Sequence, residues 1–135
     1  MRLFLIIIML LATQMSWAET EAQTIARVIA AEACGEGFLG MSLVAEVIAN
    51  RAMEWSKTPY QIVTAKNQFY GYTAPNSHRL YAQCQQTADR LATAILTGQT
   101  GQKTKGALYF RQPKEKRMSW HVVEVARHKG HIFYR

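Results

Sequence analysis

Apolar residues return at helical spacing along most of the chain. Ile25, Val28 and Ile29 stand at i, i+3 and i+4, and Glu32 follows at i+7 on the same face. The pattern predicts a helix over roughly Glu21–Cys34, opened by Thr20 and Gln23 as a capping box. Gly35, Gly37 and Gly40 then predict a turn near Glu32. A second helix is expected from about Met41 to Trp55. Met41, Val44, Ala45, Ile48, Ala52 and Trp55 form its main stripe, and Leu43 and Val47 make the other side apolar too. A helix apolar nearly all round is a buried one, so it should be the spine of the domain.

Thr58-Pro59 opens a short helix to about Ala65. Lys66–Asn76 reads as a loop rich in aromatics. Ser77 is expected to cap a helix over His78–Leu96, with Leu80, Cys84, Leu91 and Ile95 as its buried face and Gly98 at its end. Beyond a polar loop the period changes. Gly106–Arg111, Val122–Ala126 and His131–Tyr134 read as extended segments, the last two around a Lys129-Gly130 turn. The expected class is α+β: a mainly helical domain with a small C-terminal β-hairpin or extended arm.

The first residues carry a different pattern. Arg2 precedes an apolar run, Leu3–Ala12, and Ser16-Trp17-Ala18 places small residues at −3 and −1 of a cut before Glu19. Residues 1–18 therefore read as a signal peptide and 19–135 as one catalytic domain, exported to the periplasm, the cell wall or the medium. An uncleaved segment would instead anchor the chain to a membrane. The formal net charge of +7 fits an anionic partner. Export argues against nucleic acid and leaves a membrane surface or a wall polymer; solubility alone is the plainer explanation of the charge. A monomer is expected.

Glu32 is the residue that asks for a chemical explanation. A carboxyl on an apolar helix face costs free energy unless it is paired or holds its proton. Burial raises such an acid's pKa, which suits proton donation to a leaving glycosidic oxygen. The plainer alternative pairs Glu32 with Arg27, Arg51 or a backbone amide. Gly35–Gly40 matches G-x-G-x-x-G, but it follows a helix rather than a strand, so a dinucleotide site is rejected. No G-x-S-x-G occurs, and the scattered histidines fit no metal motif. No metal or cofactor is expected. Cys34 and Cys84, the only cysteines, either form a disulfide after export or remain buried thiols; the disulfide is the expectation carried forward.

Ala26–Glu36 (ARVIAAEACGE), Gly40, Val44-Ala45 and Val47–Arg51 (VIANR) together resemble the cell wall hydrolases of the spore-cortex-lytic (SleB) type. Gln68-Phe69, Gly106–Tyr109, Trp120 and the closing Gly130–Arg135 extend the resemblance in order over nearly all of residues 19–135. It implies a lysozyme-like fold and lytic transglycosylase action on peptidoglycan. The bond between N-acetylmuramic acid and N-acetylglucosamine would be cut, leaving a 1,6-anhydro ring. The family's catalytic glutamate falls on Glu32, which would serve as both acid and base. Glu36, Gln68, Phe69, Tyr109, Trp120, His131 and Tyr134 are the expected substrate-binding or supporting residues. The alternatives are a lysozyme-type hydrolase and a catalytically silent wall-binding protein. Cys34 and the loop after Phe69 depart from the family pattern, and no separate wall-binding domain is apparent.

Overall fold

Two helices meeting at a tight turn form the centre of the computed structural model, which describes residues 18–113, 115 and 121–135. The expected leader, save Ala18, and Trp120 lie outside the described residues. Helix α1 spans Glu21–Ala33 and starts on the expected capping box. The Gln23 amide donates to Thr20 Oγ1 at 3.1 Å, and the Thr20 amide donates to Gln23 Oε1 at 2.9 Å. A short 3-10 turn, Cys34–Glu36, leads directly into α2, Gly37–Glu54. The second helix thus begins four residues before the expected Met41. Gly37, at φ +74°, takes the left-handed backbone that the sharp turn requires, so little chain is left for a loop.

Helix α2 has two apolar faces with separate partners. Met41, Val44, Ala45 and Ile48 join Ile25, Val28 and Ile29 of α1 in the main core. Leu43 and Val47 pack instead with Ala107 and Phe133 beneath the sheet. Its polar residues fasten the chain that enters the sheet. Buried Glu46 accepts from the Lys103 and Thr104 amides at 3.0 and 2.7 Å. Asn50 Nδ2 donates to the Ala107 carbonyl at 3.0 Å, and Arg51 Nε donates to that of Leu108 at 2.6 Å.

Helix α3, Pro59–Thr64, carries a second capping box built from Thr58 and Gln61. Within the stretch expected to be loop, Tyr70–Thr73 forms one helical turn, α4. Helix α5 spans Ser77–Leu96. Its N-cap is Asn76 rather than Ser77, whose hydroxyl turns inward and accepts from Arg27 at 3.0 Å. Arg27 also holds Glu19 through two hydrogen bonds and the Tyr72 carbonyl through a third. This one buried guanidinium therefore ties the start of the domain and α4 to α5. Leu91 and Ile95 of α5 are buried as expected, whereas Leu80 and Cys84 are half-buried.

The sheet has the order β1-β3-β2, with β1 Tyr109–Arg111, β2 Glu124–His128 and β3 His131–Tyr134. Both pairings are antiparallel. Lys129-Gly130 forms the expected turn, with Lys129 at φ +43° and His128 opposite His131. A two-residue turn fixes the register, which puts β2 two residues beyond the expected Val122–Ala126. The observed class is α+β.

The Cys34 and Cys84 sulfurs stand at bonding distance, joining the 3-10 turn to α5 across 50 residues of chain. Helical φ/ψ is interrupted in α5 at Cys84 itself (φ −119°, ψ 20°). Closing a loop of this length should contribute about 4 kcal/mol through the unfolded state. Two results are expected: no titratable thiol in unreduced protein exported to an oxidising compartment, and a clear fall in melting temperature for Cys84→Ser. Two free thiols in that protein would refute the bond.

Candidate active site

Glu32 sits in the last turn of α1, half-buried, where the helix face leaves the core and meets α4. The Gly71 amide donates to Glu32 Oε1 at 2.7 Å. Helix α4 comes this close because position 71 has no side chain. A Cβ there would lie 2.9 Å from Ala31 Cβ and 3.1 Å from Glu32 Oε1. Of the alternatives read from the sequence, the backbone amide is thus Glu32's partner, while Arg27 is committed to Glu19.

Glu32 opens into a cavity of 170 Å³, lined also by Arg51, Gln68, Tyr70, Phe110, Arg111, Gln112, Glu115 and His131. Larger cavities exist, one of 260 Å³ between α2 and α5 and one of 600 Å³ along Thr64–Thr73. The smaller one brings two carboxyls, two guanidinium groups, an imidazole and aromatic rings together, and that convergence marks a reactive site better than volume does. The 600 Å³ cavity shares Tyr70 with it; this ring is 75% exposed and stands where the two meet.

Arg51 is buried among three rings, with its guanidinium carbon 4.9 Å from the centroid of Phe69, 5.4 Å from Trp55 and 5.6 Å from Tyr109. Burial pushes its pKa down to about 10, against the favourable charges of Tyr109 and Glu32, so it stays a cation at neutral pH. Its Nη1 donates weakly to Gln68 Oε1 at 3.5 Å. Arg111 Nε donates to the Tyr134 hydroxyl at 2.8 Å, and its Nη1 gathers the carbonyls of Gln112, Pro113 and Glu115 into a turn.

Burial raises the Glu32 pKa above the ordinary carboxylate range, and Glu115 adds to this. The Gly71 hydrogen bond opposes it most, followed by the charges of His131 and Arg51. Burial and Glu115 together outweigh the opposing groups, which leaves an acid that holds its proton to higher pH than a free glutamate.

The structure groups the expected site residues unequally. Glu32, Gln68 and His131 line the cavity directly. Phe69 and Tyr109 flank Arg51. Tyr134 is buried and reaches the cavity through Arg111. Glu36 faces the β2–β3 turn, where its carboxylate binds Gly130 and His131. Tyr70, Phe110, Arg111 and Glu115 carry no local sequence signal for the site, and Arg51 stands out only as an alternative partner for Glu32 and as the end of the family-like segment Val47–Arg51. Among the described residues, no cluster of three or more His, Cys, Asp or Glu could hold a metal ion.

The cell wall hydrolase family model matches residues 35–134. The chain belongs to the cell wall hydrolase family. It is 30% identical over 122 residues to the cell wall hydrolase CwlJ of Oceanobacillus iheyensis, a match covering 86% of each chain. The fold is that of the SleB catalytic domains. The Bacillus cereus SleB catalytic domain superposes with a TM-score of 0.67 at 23% identity, covering 91% of this chain and 95% of that one. The catalytic domain of the germination-specific lytic transglycosylase SleB from Bacillus anthracis gives 0.67 at 24% identity, covering 91% of this chain and all of that one. Glu32 lies three residues before the matched family segment, so its place rests on the geometry above.

If the Gly71 amide orients Glu32, Gly71→Ala must move α4 off α1. Turnover of wall material should fall roughly tenfold to a hundredfold. The melting temperature should fall only as far as an overpacked contact of about 1–3 kcal/mol requires. Unchanged turnover in a folded Gly71→Ala protein would show that this amide does not orient the acid.

Proposed function

We propose that this protein cleaves the glycan strands of peptidoglycan as a lytic transglycosylase, with Glu32 as the single acid and base. The observation that carries the reading is Glu32 itself. It is a half-buried carboxyl with a raised pKa, fixed through one oxygen by the Gly71 amide, in a cavity lined by aromatic and cationic groups. With Oε1 accepting from Gly71, the proton belongs on Oε2. Glu32 passes it to the glycosidic oxygen as the bond from the muramic acid C1 breaks. The resulting carboxylate then takes the proton of the 6-hydroxyl of the same sugar as C1–O6 forms. That returns Glu32 to its starting state and gives the 1,6-anhydro product without water. Membership of the cell wall hydrolase family and the basic charge support an anionic wall polymer as substrate. The leader-like first residues support action outside the cytoplasm.

One observation favours a second reading. Glu115 places an exposed carboxylate on the same cavity. A second carboxylate can activate water, and the enzyme would then act as a lysozyme-type hydrolase. Mass spectrometry of fragments released from sacculi separates the two, because the hydrolase product carries one more water than the anhydro product. Hydrated ends alone would refute the transglycosylase. Sacculi that bind but release nothing would mark a silent wall-binding protein.

Glu32→Gln keeps the side-chain shape and the acceptor for Gly71 while removing the proton donor. Activity should fall by roughly two to four orders of magnitude, and full activity would falsify the assignment. Stability should move the other way. A carboxyl whose folded pKa is raised contributes fully below its unfolded pKa and loses that contribution as pH rises through the folded pKa. The variant should therefore match the parent in acid and melt higher at neutral pH, with the gap opening as pH climbs through the raised Glu32 pKa. A melting difference independent of pH would contradict this.

A further inference from the structure

Glu36 is separated from the cavity by its own commitments. Its Oε1 accepts from the Gly130 amide at 2.7 Å, and its Oε2 accepts from His131 Nδ1 at 2.5 Å. Both carboxylate oxygens of a residue in the α1–α2 turn are thereby spent on the β2–β3 hairpin. The approach depends on glycine, because a Cβ at Gly130 would lie 2.6 Å from Glu36 Oε1. The imidazole of His131 is gripped from a second direction by Phe110, edge to face, with ring centroids 5.0 Å apart. Both side chains are well shielded, at 5% exposure for His131 and 13% for Glu36. Yet His131 also lines the cavity that contains Glu32. A ring so firmly held, and so little exposed, is poorly placed to grasp a sugar and well placed to present a charge.

We propose that Glu36 and His131 form a positioning couple: Glu36 locks the His131 ring against the cavity wall, where the imidazolium steadies the carboxylate that Glu32 becomes once its proton has left. Neither residue need touch the glycan. A carboxylate behind an imidazole fixes the ring's orientation and supports its cationic form, as outer-shell carboxylates do at other reactive histidines. The charged and titratable groups facing Glu32 are His131 on β3, Arg51 on α2, Arg111 at the end of β1 and Glu115 after it, beside the Gly71 amide. Those around the couple are Glu32 itself and His128, whose Nε2 lies 3.5 Å from the Glu36 carbonyl oxygen. The charge balance at Glu32 agrees in direction, since His131 opposes the effect of burial there.

The inference rests on Glu32 being the acid, and His131→Asn tests it. Asparagine places an amide nitrogen where Nδ1 stood, so it keeps the hydrogen bond to Glu36 and removes the charge. An acid catalyst fails as pH rises through its pKa, so the basic limb of the kcat/KM profile reports Glu32. In His131→Asn that limb should move upward by roughly half a pH unit or more. Glu36→Gln should move it the same way, and the double variant should add little. A purely structural clasp predicts a lower melting temperature and an unmoved limb, and that result in His131→Asn would overturn the proposal. NMR titration of the His131 ring, in wild type and in Glu32→Gln, needs neither activity nor a folded His131 variant. Coupling is reciprocal, so removing the Glu32 charge should lower the pH at which the ring gives up its proton. Identical ring titrations, with Glu32→Gln inactive, would refute the couple alone; an active Glu32→Gln would refute the reading of Glu32 instead.

Discussion

The hydrogen bond from the Gly71 amide to Glu32 is the contact on which the arrangement of this molecule turns. It requires α4 to lie against the last turn of α1, close enough that only glycine fits. Everything that fixes α4 therefore fixes the acid. Arg27 does so from the α5 side, holding the Tyr72 carbonyl and the Ser77 hydroxyl with one guanidinium nitrogen. The link between Cys34 and Cys84 secures the same end of α1, two residues beyond Glu32. Several elements thus act on one carboxyl, and each does so through a buried or half-buried contact.

Helix α2 supplies the opposite wall of the cavity by a different route. Its two apolar faces separate the helical core from the sheet, and its polar row binds the backbone that leads into β1. Arg51 belongs to that row, which explains how a guanidinium can sit buried beside the cavity. It satisfies the Leu108 carbonyl, and three aromatic faces surround it. A buried cation is tolerable on such terms, and it leaves the positive charge within reach of Glu32.

Much of this was legible in the sequence because local rules and long-range packing agree. The capping box at Thr20 and the helix start at Thr58-Pro59 form as the sequence predicts. The doubly apolar pattern of Leu43 and Val47 against Val44 and Ile48 announced a central helix, although not that its second partner would be the sheet. Legibility failed where tertiary contacts overrode local signals. Ser77 looks like a cap but spends its hydroxyl on Arg27, fifty residues away in sequence. The turn Tyr70–Thr73 has little helical signal of its own and is held by its contact with α1. Glu36 shows the same limit at the site. The resemblance gives it a substrate-binding or supporting role, whereas its hydrogen bonds go to residues 94 and 95 positions away. Arg111 closes the short strand β1 and Glu115 follows in a charged loop without a period, so nothing local marks either as part of the site.

The chemistry asked of Glu32 needs two opposed conditions in one place. To donate, the carboxyl must resist ionisation, and withdrawal from water provides this as the largest influence on it. To act next as a base, its anion must not be so unstable that the proton never leaves. The Gly71 amide, His131 and Arg51 each favour that anion, and together they are weaker than burial and Glu115 combined. The balance is set by geometry rather than by any one residue: α1 ends at the boundary of the core, α4 contributes a backbone donor, the sheet contributes the His131 ring, and α2 contributes the Arg51 guanidinium. A glutamate deeper in α1 would have the desolvation without the donors. One further into the turn, as Glu36 is, has its donors on the hairpin and no share of the cavity. Position 32 is where the helix face, the glycine contact and the walls supplied by α2 and the sheet intersect, which is the setting that the acid and base role proposed for Glu32 requires.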